Sequence, residues 1–328
     1  MKFLIAGFGS IGRRHFHNLI SLGEKDVIFY RSAKSTLPDD ELKDFIVEND
    51  LSAVLNHHPD AVIVANPSAL HLDVAMPAAQ MGCHLLLEKP ISNTLANLET
   101  LRTLVKKSGS QVLVGFQFRF HPGLLKIKEI LTSGEIGKPV SARAFWGEYL
   151  PDWHPWEDYR KSYSARRDLG GGVVLTLSHP FDYLRWLLGE VGSVSSHTRH
   201  SGQLALDVED VADAELEFNG GVQASVHLDY LQKPAAHNLE IVCSGGHIHW
   251  DGLSGLLRVS NAKKDLDQEY PVPTGFERND LFLAEMKHFI EVAKKASFPA
   301  CTLEDGIKAL QIALAVHTSS TDGRRINL

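Results

Sequence analysis

A glycine run near the start restricts this chain more than any other feature. Phe3-Leu4-Ile5-Ala6 is short and wholly apolar. Gly7-Phe8-Gly9-Ser10-Ile11-Gly12 follows it directly and leads into an amphipathic stretch over Ile11–Leu22. In a G-x-G-x-x-G turn between strand and helix, the first glycine permits the tight turn and the second lets a pyrophosphate approach the backbone. The third brings the helix close to the strand, and the helix N-terminus meets the phosphate charge. Gly7, Gly9, Ser10, Ile11 and Gly12 are therefore expected to hold a dinucleotide, and the chain to continue as a parallel sheet with crossover helices.

The next hundred residues follow that expectation. Apolar runs at Lys2–Ala6, Asp26–Tyr30, Ala61–Ala65, His84–Leu87 and Gln111–Phe116 read as strands. Amphipathic stretches at Ile11–Leu22, Asp39–Asn49, Leu70–Met81 and Thr94–Ser108 read as the helices between them. Fully apolar strands alternating with helices predict a Rossmann-type, doubly wound parallel sheet over residues 1–120. The pattern changes afterwards. A helix near Pro122–Thr132, a strand near Pro139–Tyr149 and a helix ending near Leu188 precede a run of strands from Ser193 to Val259. Within that run Asn219-Gly220-Gly221 marks a hairpin. Two helices, Asn279–Lys295 and Leu303–Ser319, close the chain. Residues 121–328 are thus expected to form a second, α+β domain around a mainly antiparallel sheet.

Composition supports two globular domains, since 328 residues exceed one core and the 44% hydrophobic and 22% charged fractions are those of ordinary soluble proteins. With 33 basic against 40 acidic residues and no basic run, nucleic acid and acidic membrane surfaces are disfavoured as partners. No apolar segment has the length of a signal peptide core or membrane span. Cys83, Cys243 and Cys301 are odd in number and widely spaced, which predicts reduced thiols in a cytoplasmic protein.

The end of the second strand bears on the cofactor. NAD-specific sites place a carboxylate there for the ribose hydroxyls, but this chain has Arg31 and Ser32, with Lys34 just beyond. Arg31 and Ser32 suit a 2′-phosphate, which favours NADP(H), with NAD(H) possible. Stacking of Arg31 on adenine, or simple solvation, is the alternative.

Two further motifs carry a family resemblance. Glu88-Lys89-Pro90 follows Leu85-Leu86-Leu87, and Gly170-Gly171-Gly172-Val173-Val174-Leu175-Thr176-Leu177-Ser178-His179-Pro180-Phe181-Asp182 comes later. Together with the glycine turn, Asn66-Pro67-Ser68-x-x-His71, Gly115-x-x-x-Arg119-Phe120 and Gly323-Arg324, they closely resemble the Gfo/Idh/MocA family of nicotinamide-dependent oxidoreductases over essentially the whole chain. The resemblance implies a dinucleotide domain followed by an α+β domain with a large, mainly antiparallel open sheet, the active site between them, and Lys89 and His179 flanking the reacting carbon. It also implies cofactor contacts from Asn66, Pro67, His71, Glu88 and Lys89. Oxidising a secondary alcohol needs a base for the hydroxyl proton, and the reverse needs an acid. An imidazole titrates near neutral pH and suits His179 to either task. Lys89 can bind the same oxygen and, with burial and an oxidised nicotinamide's charge depressing its pKa, share the proton work, so either group can be the formal proton donor. Family dehydrogenases commonly carry an Asp one turn before the histidine, where this chain has Leu175 and Thr176. Asp182, three residues after His179, is placed to orient the imidazole or to serve structurally.

The loop Glu148–Arg160 gathers Trp153, His154, Trp156, Tyr159 and several charges. Aromatic faces against sugar C–H groups, with Arg and carboxylates on hydroxyls, are a common way to build a carbohydrate site. Trp153, Arg160, Arg166, Arg119 and Thr176 join Lys89, His179 and Asp182 as candidate substrate contacts, Arg167 being a further cation. His57-His58 and His247-x-His249 lack additional close ligands, so no metal is expected. The leading reading is hydride transfer between NAD(P) and a sugar, nucleotide-sugar or polyol-like alcohol or ketone. Retained-NAD lyase or glycosidase chemistry and a non-enzymatic NAD(P)-sensing regulator are the alternatives. The family resemblance and the sheet's half-covered face predict a homodimer or homotetramer through the C-terminal sheet.

Overall fold

A computed structural model describes residues 1–32, 40–262 and 266–328. Lys34 lies outside the described residues. The chain divides into two compact units, residues 1–117 with 277–307, and residues 118–276 with 308–328.

The first unit opens with strand β1 (Phe3–Ala6), helix α1 (Ser10–Ser21), β2 (Val27–Tyr30), β3 (Ile46–Glu48) and a short α2 (Leu51–Leu55). It continues through β4 (Ala61–Val64), α3 (His71–Gln80), β5 (His84–Glu88), α4 (Leu98–Ser108) and β6 (Val112–Gly115). The strands lie in the order β3-β2-β1-β4-β5-β6, and every neighbouring pair is parallel. Phe-Leu-Ile-Ala in β1 and Ala-Val-Ile-Val in β4 are wholly buried. Such strands bury both faces and need helices on each side, each buried Leu or Ile side chain contributing about 1.5–3 kcal/mol. Strand order reverses between β2 and β4 around β1, and the glycine turn leaves the sheet at that switch point.

The expected helix over Asp39–Asn49 is a correction. Asp39 lies outside the described residues, and the remainder forms a single 3-10 turn at Asp40–Leu42 followed by β3. Leu42, Phe45 and Ile46 mimic a helical i, i+3, i+4 face, but β2 offers an unpaired edge that this segment fills. Ile28 pairs with Ile46, Tyr30 with Glu48, and the Arg31 amide donates to the Glu48 carbonyl. Ile46 and Val47 stay exposed, as befits a short edge strand.

The second unit begins with α5 (Pro122–Ser133) and β7 (Pro139–Gly147), then α6 (Val173–Thr176) and α7 (His179–Leu188). It continues with β8 (Val191–Arg199), β9 (Val211–Phe218), β10 (Gln223–Asp229), β11 (Ala236–Cys243), β12 (Gly246–Asp251), β13 (Leu257–Asn261) and β14 (Leu266–Tyr270). The chain then enters α8 (Arg278–Ala293) and α9 (Leu303–Asp322) and finishes in β15 (Ile326–Asn327). The large sheet runs β14-β13-β12-β11-β7-β10-β9-β8-β15. Its pairs are antiparallel except β7 with β10. The Asn219–Gly221 turn joins β9 to β10, with Gly221 at φ +84°, a conformation glycine adopts without strain. Along β11, His237, Leu239 and Ile241 are buried while Asn238, Glu240 and Val242 alternate outward.

Chain order places both closing helices after residue 120, yet α8 and the first residues of α9 belong to the first unit. There α8 packs on α1 and the sheet, Phe289 meets Phe3 edge-on at 6.5 Å, and the Cys301 carbonyl accepts the Val114 amide. An amphipathic helix displays its apolar face in sequence without displaying which surface it covers. All three cysteines are buried free thiols, and burial pushes Cys83 and Cys243 up to about 11. Among the described residues no helix is long and apolar enough to cross a membrane.

Candidate active site

The glycine turn has the form its spacing predicts. Gly7 sits at φ +96°, and a Cβ there would lie 2.7 Å from the Asn66 amide nitrogen and 2.8 Å from the Ala65 carbonyl oxygen. A Cβ on Gly12 would run into the Gly7 carbonyl, so this glycine seats α1 on the turn. Gly9 differs, because nothing lies within 4 Å of a Cβ built on it. Gly9 is also the N-cap of α1 without a side-chain cap, and the first turn of the helix carries no acid. Open backbone and uncapped N–H groups beside Ser10 and Ile11 fit the pyrophosphate of a dinucleotide. Arg31 is buried beside the turn with its guanidinium carbon 5.8 Å from the Phe8 ring, while Ser32 is exposed.

Three adjacent parallel strands end together at this edge. Ala6 of β1 pairs with Val64 of β4, and Val64 pairs with Leu87 of β5. Gly7, Asn66 and Lys89 therefore follow within two residues of one row. Pro67 starts a 3-10 turn at Ser68–Leu70, across which Asn66 Nδ2 donates to the Leu70 carbonyl at 3.0 Å. His71 Nε2 donates to the Asn66 carbonyl at 2.8 Å. His71 is fully buried, and that burial holds its pKa below the ordinary imidazole value, so it serves as a neutral staple for the turn. Asn66 Oδ1 accepts no hydrogen bond among the described residues and is an acceptor available at the sheet edge.

Glu88, expected as a cofactor contact, turns into the unit instead. His15 Nε2 donates to its Oε1 at 2.7 Å, and the Lys89 amide donates to its Oε2 at 3.2 Å. Burial alone would push this carboxyl up. The hydrogen bond and charge of His15, with Lys89 and His71 nearby, bring it below its ordinary value.

In the second unit the glycine segment is shaped by backbone packing. A Cβ on Gly171 would strike the carbonyls of Tyr163, Ser164 and Arg166, and one on Gly172, at φ +106°, would strike the Glu209 carboxylate. Glu209 accepts the Val174 amide at 3.2 Å and so holds the start of α6. Thr176 closes α6 with its side chain buried near Tyr230, whose phenol donates to the Ser164 carbonyl at 3.3 Å. His179 opens α7, only 2% exposed, with its ring 4.9 Å from Phe118 and 5.4 Å from Trp146.

Asp182 and Arg119 pair with each other. Arg119 donates from Nε and Nη2 to the two Asp182 oxygens at 2.9 and 2.7 Å, with both groups buried. The guanidinium also lies 5.8 Å over the Trp186 ring. Arg160 pairs with Asp158 and Arg166 with Asp168, both on the exposed surface, and Arg167 donates to the Asp207 carbonyl. Trp153 packs edge-on to Tyr230 at 5.5 Å, whereas Trp156 is 65% exposed. The aromatic loop is therefore one anchored Trp and one presented Trp, followed by Arg160 and Arg166, each neutralised by a nearby aspartate.

A family profile described as "Oxidoreductase family, NAD-binding Rossmann fold" matches residues 1–116, and one described as "GFO/IDH/MocA C-terminal domain" matches residues 124–249. The chain belongs to the Gfo/Idh/MocA family. It is 27% identical to myo-inositol 2-dehydrogenase of Thermotoga maritima, over 100% of this chain and 98% of that one. It is 28% identical to scyllo-inositol 2-dehydrogenase (NAD(+)) of Bacillus subtilis, over 82% of this chain and 78% of the relative. A solved levoglucosan dehydrogenase, in complex with NADH and levoglucosan, shares the fold at TM-score 0.87. It is 18% identical and covers 100% of this chain and 99% of that one.

As a Gfo/Idh/MocA oxidoreductase with an NAD-binding Rossmann unit, the protein presents two residues that its motifs did not single out. His15 lies on α1, one residue beyond Arg14, and Glu285 lies on α8. Together with Glu88 they bring three ligand-type atoms within 4.8 Å of one another, all buried. Glu285 was detectable in principle as a lone charge on the face that carries Leu281, Phe282, Met286 and Phe289. The histidine pairs that the sequence sets aside lie elsewhere, His57 reaching Glu48 at 3.2 Å.

Proposed function

We propose that this protein transfers a hydride between NAD(P) and the secondary alcohol or ketone carbon of a sugar or polyol-like substrate. The observation that carries the reading is the common sheet edge, where β1, β4 and β5 deliver the open Gly9 backbone, Asn66 and Lys89 side by side. When bound there, the nicotinamide supplies the hydride chemistry. Lys89 then binds the substrate oxygen, and His179 takes or returns the hydroxyl proton. The inositol and levoglucosan specificities of the relatives support a polyhydroxylated substrate.

NADP(H) is the proposed cofactor, because Arg31 stands against the glycine turn where an NAD site keeps a carboxylate. Energy transfer from tryptophan to NADPH and NADH measures the preference directly. Wild type is expected to prefer NADPH, and Arg31→Ala to lose that preference. An NADH preference in wild type overturns the assignment.

The activity test is a panel of inositols, aldoses and anhydrosugars with NADP⁺ and NAD⁺, read as nicotinamide reduction. Turnover of at least one polyhydroxylated alcohol is expected. No turnover, with nucleotide released only on denaturation, overturns simple hydride exchange. The exposed face of the large sheet, with Arg143, Glu240 and Val242, is proposed as the pairing surface for a second copy. A monomer in light scattering would contradict it.

A further inference from the structure

We propose that His15, Glu88 and Glu285 act as one buried positioning unit for Lys89, with Glu285 as a further positioning residue of the reaction. The inference rests on Lys89 serving the substrate oxygen, as proposed above. Glu88 is the hub. It receives His15 on one oxygen and the Lys89 amide on the other, so its carboxylate fixes the backbone from which the Lys89 side chain departs. It has little room to move, because β6 walls it in. A Cβ on Gly115 would lie only 3.1–3.2 Å from the Glu88 carboxyl atoms.

Glu285 completes the unit from α8. Its side chain is fully buried, neither oxygen has a hydrogen-bond partner among the described residues, and it faces the His15–Glu88 pair within the 4.8 Å cluster. Two carboxylates this close, away from water, cannot both be charged at acceptable cost. The titratable groups facing Glu88 are His15 and Arg14 from α1, the neutral His71 from α3 and its neighbour Lys89, while Arg278 at the start of α8 faces Arg14. One negative charge is matched by that set, and it belongs on Glu88, which holds the hydrogen bonds. Glu285 therefore keeps its proton. Burial first, and the Glu88 charge second, push its carboxyl well above the ordinary range. A neutral Glu285 fills the space behind Glu88 without adding charge or admitting water. Glu88 then stays dry and exerts its full pull on the neighbouring Lys89 ammonium.

The test is trace acetylation of the full-length protein with acetic anhydride near pH 8, with Lys89 followed by peptide mass spectrometry against an exposed lysine such as Lys161. Glu88→Gln removes the charge and is expected to speed Lys89 labelling about three- to tenfold, the effect of half to one pKa unit. Glu285→Ala admits water behind Glu88 and is expected to speed it in the same direction. Glu285→Gln, which copies the neutral acid in size and charge, is expected to restore the slower wild-type rate. Wild-type labelling in Glu285→Ala, or Glu285→Gln behaving like Glu285→Ala, overturns the proposal.

Infrared spectra supply a second measurement that needs no alanine variant. The carbonyl stretch of a protonated carboxylic acid should be present in wild type at neutral pH and absent from Glu285→Gln, and its absence from wild type overturns the proposal. One equivalent of a divalent metal in purified wild type, lost in Glu285→Gln, also overturns it. None of these readouts needs a substrate. The expected labelling without dehydrogenase turnover counts against the proposed function alone, and turnover with unaltered labelling counts against the positioning unit alone.

Discussion

Asp182 accepts both forks of the Arg119 guanidinium, at 2.9 and 2.7 Å, from a position three residues past His179. That pairing gives the carboxylate a structural task and gives the arginine a buried partner within its own unit. Breaking a buried ion pair from one side leaves an uncompensated charge, so Asp182→Asn is expected to lose about 3–5 kcal/mol of stability. Replacing both partners at once, Arg119→Met with Asp182→Leu, is expected to recover most of that loss. Urea unfolding of the three proteins checks this, and a single variant as stable as wild type would refute the structural role.

Lys89→Ala is expected to leave cofactor binding intact, because the glycine turn and Arg31 remain. Turnover should fall at least about 100-fold, the lower range for a lost acid–base or oxygen-binding group. Steady-state kinetics on the best substrate of the panel, beside a fluorescence titration with NADPH, separates the two effects. Turnover near wild type would remove Lys89 from the reaction.

Glycines of the same turn should respond differently to alanine. Gly12→Ala drives a methyl into the Gly7 carbonyl and is expected to cost about 1–3 kcal/mol through overpacking. Gly9→Ala meets open space at φ −78° and should fold as wild type, yet weaken NADPH by roughly tenfold, about 1.4 kcal/mol, by blocking the approach to the backbone. Melting temperatures and NADPH titrations of both variants check the contrast. Equal melting points would count against the packing role of Gly12.

Acid should destabilise the second unit through His121. Its Nδ1 accepts the Gly123 amide at 3.0 Å and caps α5, and burial lowers its pKa to about 4. A depressed folded value means that the unfolded chain binds the extra proton first. The stability contribution is therefore complete above the unfolded value, near 6.5, and lost as pH falls toward 4. At about 1.4 kcal/mol per unit the loss is roughly 3 kcal/mol. Urea midpoints between pH 7 and pH 4.5 should show this decline, and His121→Asn should flatten it by keeping the cap without the titration.

Local chemistry in this chain was legible and distant partnership was not. The glycine turn, the buried strands of the first sheet and the hairpin at Asn219–Gly221 each follow from residues within a few positions of one another. The β3 edge strand was misread because Leu42, Phe45 and Ile46 satisfy helical spacing, and only the vacant edge of β2 decides between the two. Asp182 has His179 as its neighbour in sequence, three residues away, whereas its ion-pair partner Arg119 is 63 residues away. Thr176 likewise lies buried near Tyr230, a neighbour distant in sequence. Lys89 was placed at the sheet edge from the apolar run before it, and the register of β1, β4 and β5 puts it there.

Vectorial synthesis meets an obstacle in α8. Domains emerging from the ribosome ordinarily fold in order, N-terminal first. Here the nucleotide unit is not whole when residue 117 emerges, because the helix that covers α1 and supplies Glu285 begins at Arg278. During the intervening translation the nascent first sheet must wait with the flank that α8 later covers still bare. A fragment cut at residue 117 would be held permanently in that state, so the two units of this chain can be told apart without being separable by a single cut.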